Sequence, residues 1–324
     1  RVCVTGASGF VGAHIVRILL EKGYDVHGTV RDKSNPDKVN HLNSLPGASE
    51  HLTLFNADLT NSGSFEEAFK GCVGVFHSAS PFFFGDGNTE DDFVPPATQG
   101  TKDIMETIAR NGDIKRVVLT SSMAAVAYNG NKLPSDHVYT DNDWSIESYQ
   151  REIKAWYALS KTLAEKLAWD FVEKEKNENN RNIELLVINP TLITGPMLQN
   201  SVNASNSIVE GILNGIKDSI PNSCMGFVDV RDVAMAHILA YEKGQSGSRF
   251  ICMTKSHPWK EWYDIIRDAA PSSKVSNIPT KVDEGDMKPP MRFDNSKLIE
   301  LGWNPLDIKT SLTDTVKSLL SQNQ

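Results

Sequence analysis

The chain of 324 residues carries 41 acidic and 33 basic side chains, a net charge of −8, which argues against nucleic acid or an anionic membrane surface as its main partner. Its 40% hydrophobic and 23% charged content is that of a soluble globule, large enough for one big domain or two closely joined ones, and no apolar run approaches the roughly 20 residues of a membrane span. The cysteines Cys3, Cys72, Cys224 and Cys252 are widely spaced and fit neither a metal pattern nor a disulfide framework, so the expected setting is the reducing cytoplasm.

The opening "RVCVTGASGFVGAHIVRILLEKGYDVHGTVRD" reads as a short apolar strand, a glycine turn, an apolar-periodic helix from Ala13 to a Gly23 stop, and a second strand. That is the context a dinucleotide fingerprint requires. Gly6 permits the tight turn, Gly9 lets the backbone approach a pyrophosphate, and Gly12 brings the helix close to the strand. The intervening Ala7, Ser8, Phe10 and Val11 complete the candidate cradle, and the helix N-terminus offers unpaired N–H groups to phosphates. Residue 1 already sits in the first strand, so residues are expected to precede it, and no signal peptide is legible. At the end of the second strand, Arg31, with Lys38 downstream, suits a 2′-phosphate and selects NADP(H). Asp32 is the competing residue, suited to a free 2′-hydroxyl.

Three further strand signals follow: "HLTLFNADL" ending at Asp58 and Leu59, "GVFHSASP" ending in Ser78, Ala79 and Ser80, and "RVVLTSS" ending at Thr120, Ser121 and Ser122. Helical stretches at 64–70 and about 98–111 separate them. Alternating strands and helices predict an α/β fold with a doubly wound parallel (Rossmann) sheet, whose ligand lies outside the strand C-terminal ends. His77, inside the fourth strand, reads as a satisfied core histidine. Phe82, Phe83 and Phe84 lie just beyond a strand end, where they either plug the core or line a pocket for apolar carbonyls.

The stretch "AWYALSKTLAEKLAWDF" is helical throughout and puts Tyr157 and Lys161 one turn apart on one face. Tyr128 and Lys132 share the spacing, but "YNGNK" is an Asn-Gly turn and not a good helix. After "ELLVINPTLITGP" the pattern loosens. Residues 1–194 are expected to form the nucleotide-binding domain, with 227–252 rejoining its sheet through "FVDVRDVAMAHILAY". A smaller substrate-binding lobe is expected from 195–226 and 253–324.

"VTGASGFVG", "TVRD", "ADL", "SKTLAEKLAWDF", "NPTLITGP" and "DVRDVAMAHI", in that order and over nearly the full length, resemble the extended short-chain dehydrogenase/reductase family. Within it, the chain resembles the branch of dihydroflavonol 4-reductases, cinnamoyl-CoA reductases and fungal aldehyde and ketone reductases. The resemblance implies a catalytic Ser122, Tyr157 and Lys161, with Ser121 the alternative to Ser122. It also implies that Pro190, Leu192 and Ile193 line the nicotinamide. Tyr157 would be the general acid, Lys161 would depress its pKa and bond the nicotinamide ribose, and Ser122 would orient the carbonyl. Ala127 stands where dihydroflavonol reductases carry an asparagine, and "AWYAL" where cinnamoyl-CoA reductases read "NWYCY", so neither named activity is implied. The expected activity is NADPH-dependent reduction of an aldehyde or ketone by a monomer or homodimer without a metal. An NAD-dependent nucleotide-sugar epimerase or dehydratase, or a non-catalytic NADP(H) sensor, are the alternatives.

Overall fold

The computed structural model describes residues 1–80, 89–130, 132–134, 136–287 and 289–322. The chain runs through β1 (Val2–Thr5), α1 (Phe10–Glu21), β2 (Val26–Val30), α2 (Pro36–Asn43), α3 (Ala48–His51), β3 (Leu52–Asn56), α4 (Glu66–Phe69) and β4 (Gly74–His77). Next come α5 (Glu90–Asn111), β5 (Arg116–Thr120), a 3-10 turn at Met123–Ala125, β6 (Val138–Tyr139), α6 (Glu147–Glu152), α7 (Trp156–Asn179), β7 (Glu184–Pro190) and β8 (Leu192–Thr194). The remainder is α8 (Ala204–Leu213), β9 (Cys224–Asp229), α9 (Val230–Lys243), β10 (Arg249–Cys252), β11 (Lys255–Pro258), α10 (Trp259–Ala269), α11 (Ser272–Val275), β12 (Arg292–Phe293), α12 (Ser296–Glu300) and α13 (Ile308–Gln322).

Seven strands form one sheet in the order β10-β7-β5-β4-β1-β2-β3, every pairing parallel. Its inner strands β1, β4, β5 and β7 are apolar on both faces, as a sheet covered by two helical layers demands. Val2, Val4, Val118, Leu186 and Ile188 point into a core shared with α1 and α9. Cys3, Val117, Leu119, Leu185 and Val187 alternate into a second core with Ile104, Met105 and Ile108 of α5 and Ala168 of α7. The strand order reverses beside β1, and ligands of doubly wound sheets bind at that switch point.

Two expectations need correction. The helix expected at about 98–111 starts at Glu90, because a capping box between Thr89 and Asp92 and an acidic first turn nucleate it upstream; Pro95 and Pro96 lie inside the helix, where they read from sequence as breakers. The strand of "FVDVRDV" does not rejoin the main sheet. The open edge of β7 is taken by β10 (Val187↔Arg249 to Pro190↔Cys252), so β9 pairs with β8 and β11 in a separate three-stranded sheet, and of the segment 227–252 it is α9 and β10 that return to the main sheet. Phe227 of β9 belongs to another core, with Trp262 and Ile266 of α10 and Leu312 and Val316 of α13, while Val228 faces the main one.

Candidate active site

The first βα turn has no room for side chains at two positions. Gly6 sits at φ +66, and a Cβ there would come within 2.9 Å of the Ala79 Cα. A Cβ at Gly12 would come within 2.3 Å of the Gly6 carbonyl oxygen, so only glycine lets α1 pack this close to the turn. α1 begins at Phe10, three residues before the expected Ala13, and Gly9 caps it without a side-chain hydrogen bond. The N–H groups of its first turn therefore have no internal acceptor, next to Ala7, Ser8 and Val11.

Arg31 is exposed just past β2 and Lys38 is exposed on α2. The Arg31 charge reaches Asp58, whose carboxyl is held below its ordinary value, chiefly by the N–H and hydroxyl of Thr60. Asp32 is occupied otherwise: its Oδ1 accepts from the N–H and hydroxyl of Ser34 at 2.9 and 2.6 Å. His41, on α2 with Lys38, comes up to Ser8 of the glycine turn. Leu59 packs against Gly100 of α5.

At the end of β4, the Ser78 hydroxyl donates to the Thr5 carbonyl at 2.7 Å and the Ala79 N–H to the Thr5 hydroxyl at 3.1 Å. His77 is buried and hydrogen-bonded to the same Thr5 hydroxyl at 2.8 Å, and burial, aided by the charge of Lys161, pulls its pKa to about 3. It stays neutral, as a core histidine should. Phe82, Phe83 and Phe84 lie outside the described residues.

Three consecutive hydroxyls end β5, and alternation sends them apart. Thr120 is hydrogen-bonded to His237 Nε2 of α9 at 2.7 Å. Ser121 donates to Glu165 of α7 at 2.5 Å. Ser122 accepts from the Ala124 N–H at 3.1 Å, and its side chain is the one that hydrogen-bonds Tyr157. Tyr157 and Lys161 keep partial exposure on α7 while Ala158 and Leu159 between them are buried, and the Lys161 Nζ lies 6.0 Å from the Tyr157 ring centroid.

The expected depression of the tyrosine pKa by Lys161 is not what the geometry produces. Burial pushes the Tyr157 phenol above its ordinary value, the Ser122 hydrogen bond pulls it partly back, and Tyr128 adds to the rise. Lys161 is itself brought down to about 8 by burial, opposed by Glu165. Desolvation penalises both charged forms and is the largest cause of each shift.

Pro190 is buried at the end of β7, and Leu192 and Ile193 point to opposite faces of β8, one toward the α10/α13 core and the other toward the main one. Sequence reasoning missed Glu165, Asn189 and Arg249, which meet behind Lys161. It also missed the approach of Tyr128 to Tyr157. No local periodicity marks Asn189, Arg249 or Tyr128, whereas Glu165 has one signal, its place one further turn along the stripe of Tyr157 and Lys161. A small cavity of about 20 Å³ is lined by His77, Thr101, Ser121, Lys161 and Glu165, among others. A larger groove of about 760 Å³, between β11, α10 and the start of α13, shares no residue with this site. Among the described residues no group of acidic, histidine or cysteine side chains is arranged to hold a metal, and no helix is long and apolar enough to cross a membrane.

A model of the NAD dependent epimerase/dehydratase family matches residues 2–252. Cinnamoyl-CoA reductase CAD2 of Medicago truncatula is 40% identical over 320 residues, which cover 98% of this chain and 95% of the relative. The structure of yeast methylglyoxal/isovaleraldehyde reductase Gre2 complexed with NADPH is similar at a TM-score of 0.85 and 30% identity, over 99% of this chain and 98% of that one. Vestitone reductase from alfalfa (Medicago sativa) reaches 0.80 at 30% identity, over 100% and 99%.

Proposed function

Because the chain belongs to the NAD dependent epimerase/dehydratase family, whose extended short-chain reductases its motifs resemble, we propose that it reduces an aldehyde or ketone to the alcohol with NADPH. The single observation that carries this reading is the meeting of Ser122 from the end of β5 with Tyr157 on α7, one turn from Lys161. A reductase bound to NADPH shares the fold at 30% identity, which supports NADP(H) as the cofactor.

The residues fit that cofactor. The cradle that a Cβ at Gly6 or Gly12 would fill and the free N–H groups at the start of α1 suit the pyrophosphate. Arg31 and Lys38 suit the 2′-phosphate, with Asp32 held by Ser34. Asp58, Leu59, Ser78, Ala79, Ser80 and Thr120 would border the ligand from the strand ends, Pro190, Leu192 and Ile193 would border the nicotinamide, and the segments 195–226 and 253–324 would cover the substrate side. When bound, NADPH supplies the hydride. Tyr157 donates its phenolic proton to the carbonyl oxygen, and its raised pKa keeps that proton in place at neutral pH. Ser122 donates a hydrogen bond to the same oxygen as charge develops there. Lys161, an ammonium below about pH 8, would hold the nicotinamide ribose, and it stabilises the phenolate that the proton transfer leaves behind.

The relatives are named for different substrates, a cinnamoyl-CoA, methylglyoxal or isovaleraldehyde, and vestitone, so the test is a panel. Purified protein is mixed with NADPH or NADH and with aldehydes, ketones, acyl-CoA thioesters and nucleotide sugars, and loss of reduced-cofactor absorbance is followed. NADPH oxidation with aldehydes or ketones is the expected result. Preference for nucleotide sugars, for thioesters alone, or for NADH overturns the reading.

A further inference from the structure

Tyr157, Lys161 and Glu165 occupy successive turns of α7, so all three side chains fall on one stripe. Glu165 is 1% exposed, and its carboxylate collects four donors. Oε2 accepts from the Ser121 hydroxyl at 2.5 Å and the Asn189 amide at 2.9 Å; Oε1 accepts from Arg249 Nε at 2.6 Å and Trp169 Nε1 at 3.3 Å. Arg249, 6% exposed, is fixed from the other side by the carbonyls of Asp141 and Asp143 and by the Trp144 ring, 3.8 Å from its guanidinium carbon. A buried Arg–Glu pair by itself is weak evidence of anything but a satisfied core. What sets this one apart is where its other bonds go. Ser121 is the neighbour of Ser122, and Asn189 donates both to Glu165 and to the Ser122 carbonyl, the latter at 3.2 Å. Glu165 and Lys161 also line the same small cavity.

We propose that Glu165 is the positioning residue of this site: it acts through Lys161, one turn before it on α7 and lining the same cavity, and through Ser121 and Asn189, which set the backbone that presents Ser122. The inference rests on the reductase reading of Ser122, Tyr157 and Lys161. The titratable groups around Lys161 are His77 from β4, neutral at working pH, and Tyr157 and Glu165 from its own helix; α5 contributes the non-titrating Thr101, and Arg249 of β10 is turned to Glu165. Of these, Glu165 opposes the burial that would strip Lys161 of its proton. Its loss lowers the pH at which Lys161 becomes neutral.

The readout is the alkaline limb of kcat for carbonyl reduction, measured with saturating NADPH. Glu165→Gln preserves shape and removes charge, and it moves this limb toward acid by about one pH unit, the low end of what a neighbouring opposite charge is worth. Relative to the unsubstituted protein, turnover above the limb then falls about 10-fold more than turnover at pH 6 does. Glu165→Asp keeps the charge and returns the limb to within a few tenths of its original position. Ser121→Ala removes one donor from the carboxylate, leaves more of its charge for Lys161, and moves the limb a few tenths toward alkali; this small substitution decides the matter alone if Glu165→Gln does not fold. A limb unmoved by Glu165→Gln, or by Ser121→Ala where that variant must decide, reduces Glu165 to a structural ion-pair partner. Tyr157→Phe separates the two levels: its inactivity alongside an unmoved limb sinks the positioning role alone, whereas full activity in Tyr157→Phe sinks the reductase reading and this inference together.

Discussion

Two Tyr-x-x-x-Lys pairs stand about 30 residues apart in this chain, and the fold treats them oppositely. Tyr157 and Lys161 lie on α7, a helix of 24 residues, where four residues make one turn and the two side chains share a face. Tyr128 and Lys132 lie around a turn closed by the Lys132 N–H on the Asn129 carbonyl, with Gly130 at φ +59, and Lys132 is exposed. Spacing carries meaning only where the backbone repeats with the matching period. Yet Tyr128 is no bystander, since it is close enough to Tyr157 to help raise its pKa. The contact is made by the segment after β5, tied down by the Ser145 hydroxyl and the Ile146 N–H, and owes nothing to the pair's spacing.

The harshest test of this contrast is Tyr157→Phe. It removes the proposed proton donor and should lower kcat by the roughly 10²–10⁴-fold that general acid catalysis contributes, while NADPH affinity, followed by fluorescence titration, stays within about 2-fold. Near-normal turnover would leave the two pairs functionally equivalent and end the mechanism.

Arg31→Ala then separates chemistry from cofactor capture, since it touches neither pair. A hydrogen bond to a charged group is worth about 1.5–3 kcal/mol, so NADPH binding should weaken roughly 10- to 100-fold and NADH binding hardly at all. Equal weakening of both cofactors would shift the 2′-position assignment to Asp32.

Lys161→Met probes the cost of placing the lysine where Lys132 is not, in a desolvated site. The Lys161 pKa is lowered in the folded protein to about 8 from 10.5. The folded state therefore binds fewer protons than the unfolded state between these values, and stability rises with pH across that window. Below pH 8 the penalty is fully present, so Lys161→Met should be more stable than the parent at pH 7 by about 1–3 kcal/mol and lose that advantage by pH 10.5. Urea unfolding at the two pH values measures it; a variant less stable at pH 7 would contradict the desolvation account.

The smallest effects belong to the other pair. Tyr128→Phe removes a group that raises the Tyr157 pKa and should change kcat by less than about 3-fold, and Lys132→Met, at an exposed site, should alter stability by no more than about 0.5 kcal/mol. A loss in Tyr128→Phe comparable to that of Tyr157→Phe would mean that the tyrosine roles had been assigned the wrong way round.

What the sequence determined by itself is what local periodicity can express. The strand, glycine turn and helix of residues 2–21 follow from a short apolar run, then glycines, then a period of 3.6, and the parallel sheet follows from apolar runs separated by helical ones. The stripe of Tyr157 and Lys161 is legible for the same reason, and the family motifs point to Ser122 without excluding Ser121. Only the tertiary structure shows that the Ser121 hydroxyl meets α7 at Glu165 and that of Ser122 at Tyr157, the contact on which the proposed role of Ser122 rests. It also decided that β10, not β9, takes the edge of β7, and that Glu165, Asn189 and Arg249 converge behind Lys161. Those pairings join residues 24 to 84 positions apart, and a hydrogen bond across such a separation leaves no period in the sequence. Its partners become recognisable only once sheet order and helix packing have brought them together.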